Sequence, residues 1–503
     1  MTPPSPRAGS GPGSGPSPGP KSGGKSGQKS GQKSGRIAGR APAGARAAAR
    51  AEQAELAAHE AQGARVTART IAIDALVRVE EGGYAQLVLP ALLGATSLSS
   101  RDRAFATDLV YGAVRSERRI DDLVARVVTR PLHRLDPPVR AALRVGAYQL
   151  LSGMKPHAAV GETVEALGAR SPRAKGFVNA NLRSISRLGP PFPEPEDPAV
   201  ALSYPDWLVD RLTGALGARD ARRSLAAMNE PASMTLRPNV RVATQASLME
   251  ELRADAGPDS GVELTTGTLV PDALRVTGMG DPRRLPAVAE GRATPQDEGS
   301  QAVVEILAPA PGERIVDLAA APGGKATAIA ERVGPSGCVI ALDLDAGRTR
   351  LVTEAAARLS LPWLHAGVAD ARRPPLRAGT FDRVLLDAPC SGIGVLRRRP
   401  DARWRLTPEV IEECAALQRD LLLAAAPLVK PGGLLVYSVC TLTPEETQGV
   451  DDFAAQHLPR FNSERAIATK GKDAWRPLGR GVLLLPYARG TDGMYVLVLR
   501  APG

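Results

Sequence analysis

Apolar positions along this 503-residue chain change their spacing more than once, and each change predicts a different layer of structure. From Val66 to about Leu188 the spacing is helical. Ile73, Leu76, Val77 and Glu80 step around one helix, and the pattern stops at Gly82-Gly83. Ser100 predicts a cap for a helix running through Val114, and Asp136 before Pro137 is a helix-start signal. Leu143, Ala147, Leu150 and Leu151 form one apolar stripe. An all-α domain of roughly six helices is therefore expected over residues 66–190.

A Pro-rich stretch from Gly189 to Pro195 marks a boundary, with a linker expected over 191–203. Residues 204–300 mix a helix (Trp207 to Leu216) with short strands around Met234 to Val240 and Gly261 to Val276, a small α+β module. From about Ala308 strands and helices alternate, which predicts a doubly wound, Rossmann-like parallel sheet over 301–503. Its expected strands are Arg314–Leu318, Cys338–Asp343, Trp363–Gly367, Arg383–Asp387 and Gly433–Val439. A long helix is expected from Thr407 to Val429, and Gly481–Leu485 with Met494–Leu499 should close the sheet as an antiparallel pair.

The first 65 residues show no apolar period. They are Gly, Pro, Ser, Ala and basic residues, with KSGG-KSGQ-KSGQ-KSGR at Lys21–Arg36 and no acid before Glu52. Such a segment buries too little surface to offset its ordering entropy, so a disordered basic tail is expected. It is either a solvated tail or a loose companion of RNA phosphates; the Gly and Pro content argues against an organellar leader.

Composition narrows the class. Apolar residues make up 43% of the chain, enough for real cores, yet no run of about eighteen exists to span a membrane. With no leader-like apolar region near Met1, a cytoplasmic protein is expected. The four cysteines, Cys338, Cys390, Cys414 and Cys440, are far apart and form no C-x-x-C pair, which argues against zinc or a disulfide framework. No metal is expected. The net charge of +11 suits a polyanionic partner, but ten basic residues against three acids lie before Val66, so charge does not decide the matter. Nothing in the pattern sets an oligomeric state, and a monomer is the default.

Chemistry enters at Ile315-Val316-Asp317-Leu318-Ala319-Ala320-Ala321-Pro322-Gly323-Gly324-Lys325. A buried strand ends in a loop of small residues that leads into a helix, so a ligand can approach the backbone and meet free N–H groups. The loop lacks both G-x-G-x-x-G and the Walker spacing. Acids follow at the ends of successive strands: Asp343, Asp370 and Asp387. Those ends line the ligand crevice of an open parallel sheet. Asp343, about twenty residues past the loop, suits ribose hydroxyls, and Asp370 is placed for an adenine edge. Three acids in series favour a nucleoside ligand.

Asp387-Ala388-Pro389-Cys390 then puts an acid and a thiol on one strand-end loop, and Cys440 ends the next core strand. Cys338 begins a strand and Cys414 lies within a helix, so both are expected to be structural. Carbon 5 of cytosine is too weak a nucleophile to attack a sulfonium methyl group. A thiolate added at carbon 6 pushes electron density onto carbon 5, and the thiol leaves once the carbon-5 proton is removed. Asp387 is the candidate for holding ring N3 and the exocyclic amine. The residues alone do not say which of Cys390 and Cys440 is the nucleophile.

These stretches resemble the RsmB/Sun family of bacterial RNA cytosine-5 methyltransferases over roughly Val66 to Arg500. The resemblance rests on AAAPGGK (Ala319–Lys325), ALDLD (Ala341–Asp345), FDRVLLDAPCSGIGVLRRRPD (Phe381–Asp401) and LVKPGGLLVYSVCTLTPEE (Leu428–Glu446). The front helices are similar to NusB-type RNA-binding domains at Asp102–Arg115, Arg140–Leu151 and Lys175–Arg183. It implies a class I AdoMet-dependent fold, with S-adenosylmethionine (AdoMet) held by Ala319, Ala320, Ala321, Pro322, Gly323, Gly324 and Lys325, and by Asp343, Asp370 and Asp387. It also implies Cys440 as nucleophile and Cys390 as the residue that assists product release. Ribosomal RNA of the small subunit is the expected substrate, and the 204–300 module is assigned to RNA binding too. Arg397, Arg398 and Arg399 are candidates for phosphate contacts, weighed against a solvated charge run. Ala319 stands where many relatives carry Cys, and Thr447 where they often carry Asn.

Two other readings compete. A non-catalytic RNA-binding assembly factor would show decayed motifs, whereas here the set is intact. A transfer-RNA substrate would keep the chemistry and change only the target, and nothing in the sequence argues against it.

Overall fold

The computed structural model describes residues 66–168, 170–257, 261–464 and 472–503. The basic segment 1–65, expected to be a disordered tail, lies outside the described residues.

The front domain is helical, with seven α-helices among the described residues: Ala68–Glu80, Ala85–Gly94, Ser100–Arg115, Glu117–Ala125, Pro137–Leu151, Pro156–Leu167 and Lys175–Ser186. Its helix starts follow from side-chain chemistry. Thr67 and Thr70 form a reciprocal capping box, and the Ser99 hydroxyl, not that of Ser100, accepts the Asp102 N–H at 3.1 Å. Ile71, Leu89, Leu109, Leu143 and Leu182 meet in one fully buried core. Full burial of each such side chain contributes about 1.5–3 kcal/mol.

A four-stranded antiparallel sheet follows, ordered β2-β3-β1-β4, with β1 Met234–Pro238, β2 Glu263–Thr266, β3 Leu274–Thr277 and β4 Ala293–Pro295. Leu236, Leu248, Leu252, Leu274 and Val276 form its own small core. The helices that precede it, Asp206–Leu216 and Ala218–Ala227, pack elsewhere. Their Leu208, Leu212 and Leu225 join the core of the catalytic domain.

That domain is built on β5 Arg314–Asp317, β6 Cys338–Asp343, β7 Leu364–Val368, β8 Phe381–Asp387 and β9 Val429–Val439. It continues with β10 Asn462–Glu464, β11 Trp475–Leu478, β12 Gly481–Leu484 and β13 Met494–Arg500. The order is β11-β12-β13-β9-β8-β5-β6-β7, with β10 on β13. Strands β7 to β9 through β5 run parallel, and β13 is antiparallel to β9. Parallel strands covered on both faces must be apolar throughout, hence Val384, Leu385 and Leu386 in succession, all fully buried. The long helix ends at Ala425 rather than Val429. One 3-10 turn later β9 begins, at Val429 rather than Gly433, with a register shift opposite Phe381 and Arg383. The order reverses at β5, which has β8 on one side and β6 on the other. Crevices for ligands form at the carboxyl ends beside such a reversal.

A strap after β8 ties the front helices to this sheet. Arg403 is fully buried and stacks 3.9 Å over the Tyr204 ring. It donates to the carbonyls of Arg115 (3.1 Å) and Ser203 (3.0 Å) and to Asn229 Oδ1 (2.8 Å). Nearby, Asp401 accepts the Ala85 N–H, and Arg405 donates to the Gly83 carbonyl. No helix among the described residues is long and apolar enough to cross a membrane.

Candidate active site

The loop after β5 is shaped by close approach. Gly323 has φ +108°, and a Cβ there would lie 3.2 Å from Val352 Cα, so only glycine fits without displacement. The Ala320 N–H binds the Leu342 carbonyl at 2.8 Å and the Ala321 N–H binds Asp343 Oδ2 at 3.3 Å, which fastens the loop to the end of β6. Helix Gly324–Val333 then starts with no side chain capping it, leaving first-turn N–H groups for an anionic ligand.

Asp317, at the end of β5, was not singled out by sequence reasoning. It is 1% exposed, its Oδ1 is 3.4 Å from the Ala319 N–H, and its Oδ2 has no partner. Burial, with the nearby Asp387 charge adding to it, pushes this carboxyl up to about 7. An unpaired buried oxygen beside an uncapped helix is what a cationic amine next to a carboxylate would satisfy. Asp343 is buried and holds both the loop and the Asp345 N–H (3.1 Å), with lone pairs to spare for hydroxyls. Leu344 and Val368, beside the ends of β6 and β7, are 68% and 56% exposed, apolar surface suited to a purine face. The residues present fit a nucleoside that carries an amino acid. Asp370 is more exposed, and the Arg372 guanidinium, 2.6 Å away, holds its carboxyl below the ordinary value.

Lys325 ties that cradle to the end of β8. Its Nζ lies 2.6 Å from Asp387 Oδ2, and the Ser438 hydroxyl donates to Asp387 Oδ1 at 2.7 Å. The β8–β9 register places Asp387 opposite Ser438, which brings the two following loops side by side. There Cys390 Sγ and Cys440 Sγ are 3.3 Å apart. The hydrogen bond to Cys440, together with burial, pushes the Cys390 thiol well above its ordinary value. Either sulfur can be the donor in this contact. Cys338 starts β6, and Cys414 is buried in helix Pro408–Ala425.

The three consecutive arginines separate. Arg397 is 4% exposed and donates to the carbonyls of Gly490, Thr491 and Pro231. Arg398 bridges Asp297 (2.6 Å) and Asp492 (2.9 Å). Both guanidinium groups are committed within the protein, which corrects the expectation that they grip phosphate; Arg399 alone is exposed. A run of like charges reads as solvated until the fold supplies carbonyls and acids from distant segments.

A reversed parallel sheet with a nucleoside cradle at its switch point and a thiol pair beside it defines a class I methyltransferase. Family models agree segment by segment: a 16S rRNA methyltransferase RsmB/F model matches residues 304–500. A NusB family model matches 66–187, and an RsmF/B-like ferredoxin-like domain model matches 204–281. A probable ribosomal RNA small subunit methyltransferase B from Bacillus subtilis is 34% identical over 87% of this chain and 100% of its own length. The ribosomal RNA small subunit methyltransferase B of Thermus thermophilus is 37% identical over 86% of this chain and 98% of its own. A crystal structure of a methyltransferase homologue from Pyrococcus horikoshii is 27% identical, with TM-score 0.52, over 61% of this chain and 98% of that one. The chain belongs to the RsmB/F family of ribosomal RNA methyltransferases.

Proposed function

We propose that this protein transfers a methyl group from AdoMet to carbon 5 of a cytosine in small-subunit ribosomal RNA, through a bond between Cys440 and carbon 6. The sulfur pair at 3.3 Å beside the Lys325–Asp387 ion pair carries the reading. Amine- or ribose-directed methyl transfer has no use for two thiols at the reacting centre, whereas carbon-5 transfer needs a nucleophile and a means of expelling it.

AdoMet, when bound, supplies an electrophilic methyl group. The loop Ala319–Lys325 and the first turn of the following helix would hold its carboxylate, Asp317 its amine, and Asp343 its ribose hydroxyls. Leu344 and Val368 would cover the adenine, and Asp370 would reach its edge. Cys440 sulfur adds to carbon 6, and the electrons of the 5,6 double bond move into the ring. Asp387 accepts from the exocyclic amine and holds the ring in place, while the Lys325 ammonium beside it offsets the negative charge that reaches N3. Carbon 5 takes the methyl group. A base then removes the carbon-5 proton, the double bond re-forms, and the carbon–sulfur bond breaks with the electron pair leaving on Cys440. Cys390, still protonated, stabilises that departing sulfur. The front helices and the four-stranded module would hold the RNA, with Arg399 on a phosphate.

Bisulfite sequencing of total RNA from cells with and without the gene tests this. Loss of one protected cytosine in small-subunit ribosomal RNA is expected. A lost mark in transfer RNA would overturn the substrate, and no lost cytosine mark would overturn the reaction.

A further inference from the structure

Glu446 has no part in the chemistry above, yet its carboxylate is the most heavily bonded side chain near the two thiols. It is completely buried. Its Oε1 accepts the Ser391 N–H at 2.8 Å and the Gln418 amide at 3.0 Å. Its Oε2 accepts the hydroxyls of Thr441 (3.1 Å), Thr443 (2.9 Å) and Ser391. Gln418 also donates to the Pro389 carbonyl at 2.9 Å, and the Tyr437 hydroxyl lies 2.8 Å from the Glu446 carbonyl. No lysine or arginine among the described residues forms an ion pair with it.

Burying a carboxylate without a cation costs several kcal/mol unless donors replace water. Here five donors do so, four from the two thiol loops and one, Gln418, from helix Pro408–Ala425. Ser391 directly follows Cys390, and Thr441 directly follows Cys440. A residue needed only to fill this space would be better apolar.

Glu446 takes two bonds from each loop, and the loops differ in what else supports them. Cys440 continues directly from β9, and its carbonyl also accepts the Gly394 N–H at 2.9 Å. Cys390 instead lies three residues past the end of β8, and Glu446 takes both the N–H and the hydroxyl of the residue that follows it. We propose that Glu446 is a positioning residue that holds the Cys390 loop against the Cys440 loop, so that Cys390 meets the sulfur that must be expelled. Loosening it harms release of the methylated RNA more than formation of the covalent bond. The nearby carboxylate charge also helps to keep Cys390 protonated. The inference rests on the two-thiol reading above.

Glu446→Gln is the informative change, because its amide oxygen can still accept on the Oε1 side while its NH2 faces hydroxyls able to turn. The full-length protein is mixed with small-subunit ribosomal RNA and labelled AdoMet, and denaturant-resistant protein–RNA adducts are measured beside multiple-turnover rates. Turnover is expected to fall on the order of tenfold to a hundredfold, with AdoMet affinity kept and adduct accumulating. Ser391→Ala, which keeps the carboxylate and removes one donor, should show the same phenotype more weakly, and decides the question if Glu446→Gln does not fold. Cys390→Ser run alongside separates the two claims. If it accumulates no adduct, the two-thiol reading falls. If it does, while Glu446→Gln turns over normally or loses AdoMet binding and adduct formation together, only the positioning role falls.

Discussion

Lys325 and Asp387 stand 62 positions apart in the chain and 2.6 Å apart in space. Burial works to strip the proton from this lysine, but Asp387, followed by Cys440 and Asp317, outweighs it and leaves the ammonium above its ordinary value. A fixed cation thus stands at the acid that would grip the cytosine, although the sequence motif places the lysine in the cofactor loop.

Replacing Lys325 by Met should therefore reduce turnover by about a hundredfold or more while changing AdoMet affinity much less. Equilibrium binding of labelled AdoMet, set beside initial rates, separates the two parameters. Collapse of AdoMet binding with unchanged turnover at saturation would return Lys325 to the cofactor.

The thiol pair makes opposite demands on its members. Cys440→Ser should abolish both methyl transfer and adduct formation, while Cys390→Ser should trap RNA on Cys440. Gel mobility under denaturing conditions reads both outcomes. Trapping by Cys440→Ser instead would exchange the two roles.

Asp317 makes stability depend on pH. Its carboxyl rises from 3.8 to about 7 on folding, so between those values the folded chain holds a proton that the unfolded chain has released. The stability this gives is complete below the unfolded value and lost as pH rises through 7. Above that, the buried charge costs about 4 kcal/mol. Ligand-free Asp317→Asn should therefore melt higher than the parent at about pH 8, by about half as much at about pH 5.5, and close to it only at about pH 4. Equal shifts at all three would show that the buried charge is not the cause.

Arg399 and Arg397 should separate by readout. Arg399→Ala should lower the slope of log affinity for RNA against log salt by about 0.7–0.9 and leave the melting temperature alone. Arg397→Ala strands carbonyls of Gly490 and Pro231 and should cost about 2–4 kcal/mol of stability. Reversed outcomes would put Arg397 at the RNA.

What the chain disclosed beforehand, and what it withheld, follows from the range of each interaction. Strands such as Ile315-Val316 and Leu434-Leu435-Val436 are apolar runs because both faces are covered, and that signal is local. The thiols, the strand-end acids and the small-residue loop are legible for the same reason. Partnerships across strands depend on sheet order, with β5 between β8 and β6, which no spacing rule contains. Glu445 and Glu446 show the difference. The first pairs with Arg211 and is partly exposed, while the second is fully buried between two loops. Adjacent acids with opposite fates look alike in sequence. The order of the two cysteines came only from the family resemblance.

The buried guanidinium of Arg403 restricts how this enzyme can be taken apart or rebuilt. One of its acceptors belongs to the last residue of a front helix, and the ring beneath it follows the linker. A fragment beginning after the linker would keep the cation and lose part of what neutralises its isolation. Grafting a different front domain would require residues 401–405 to travel with it, because those residues hold the front helices to the sheet.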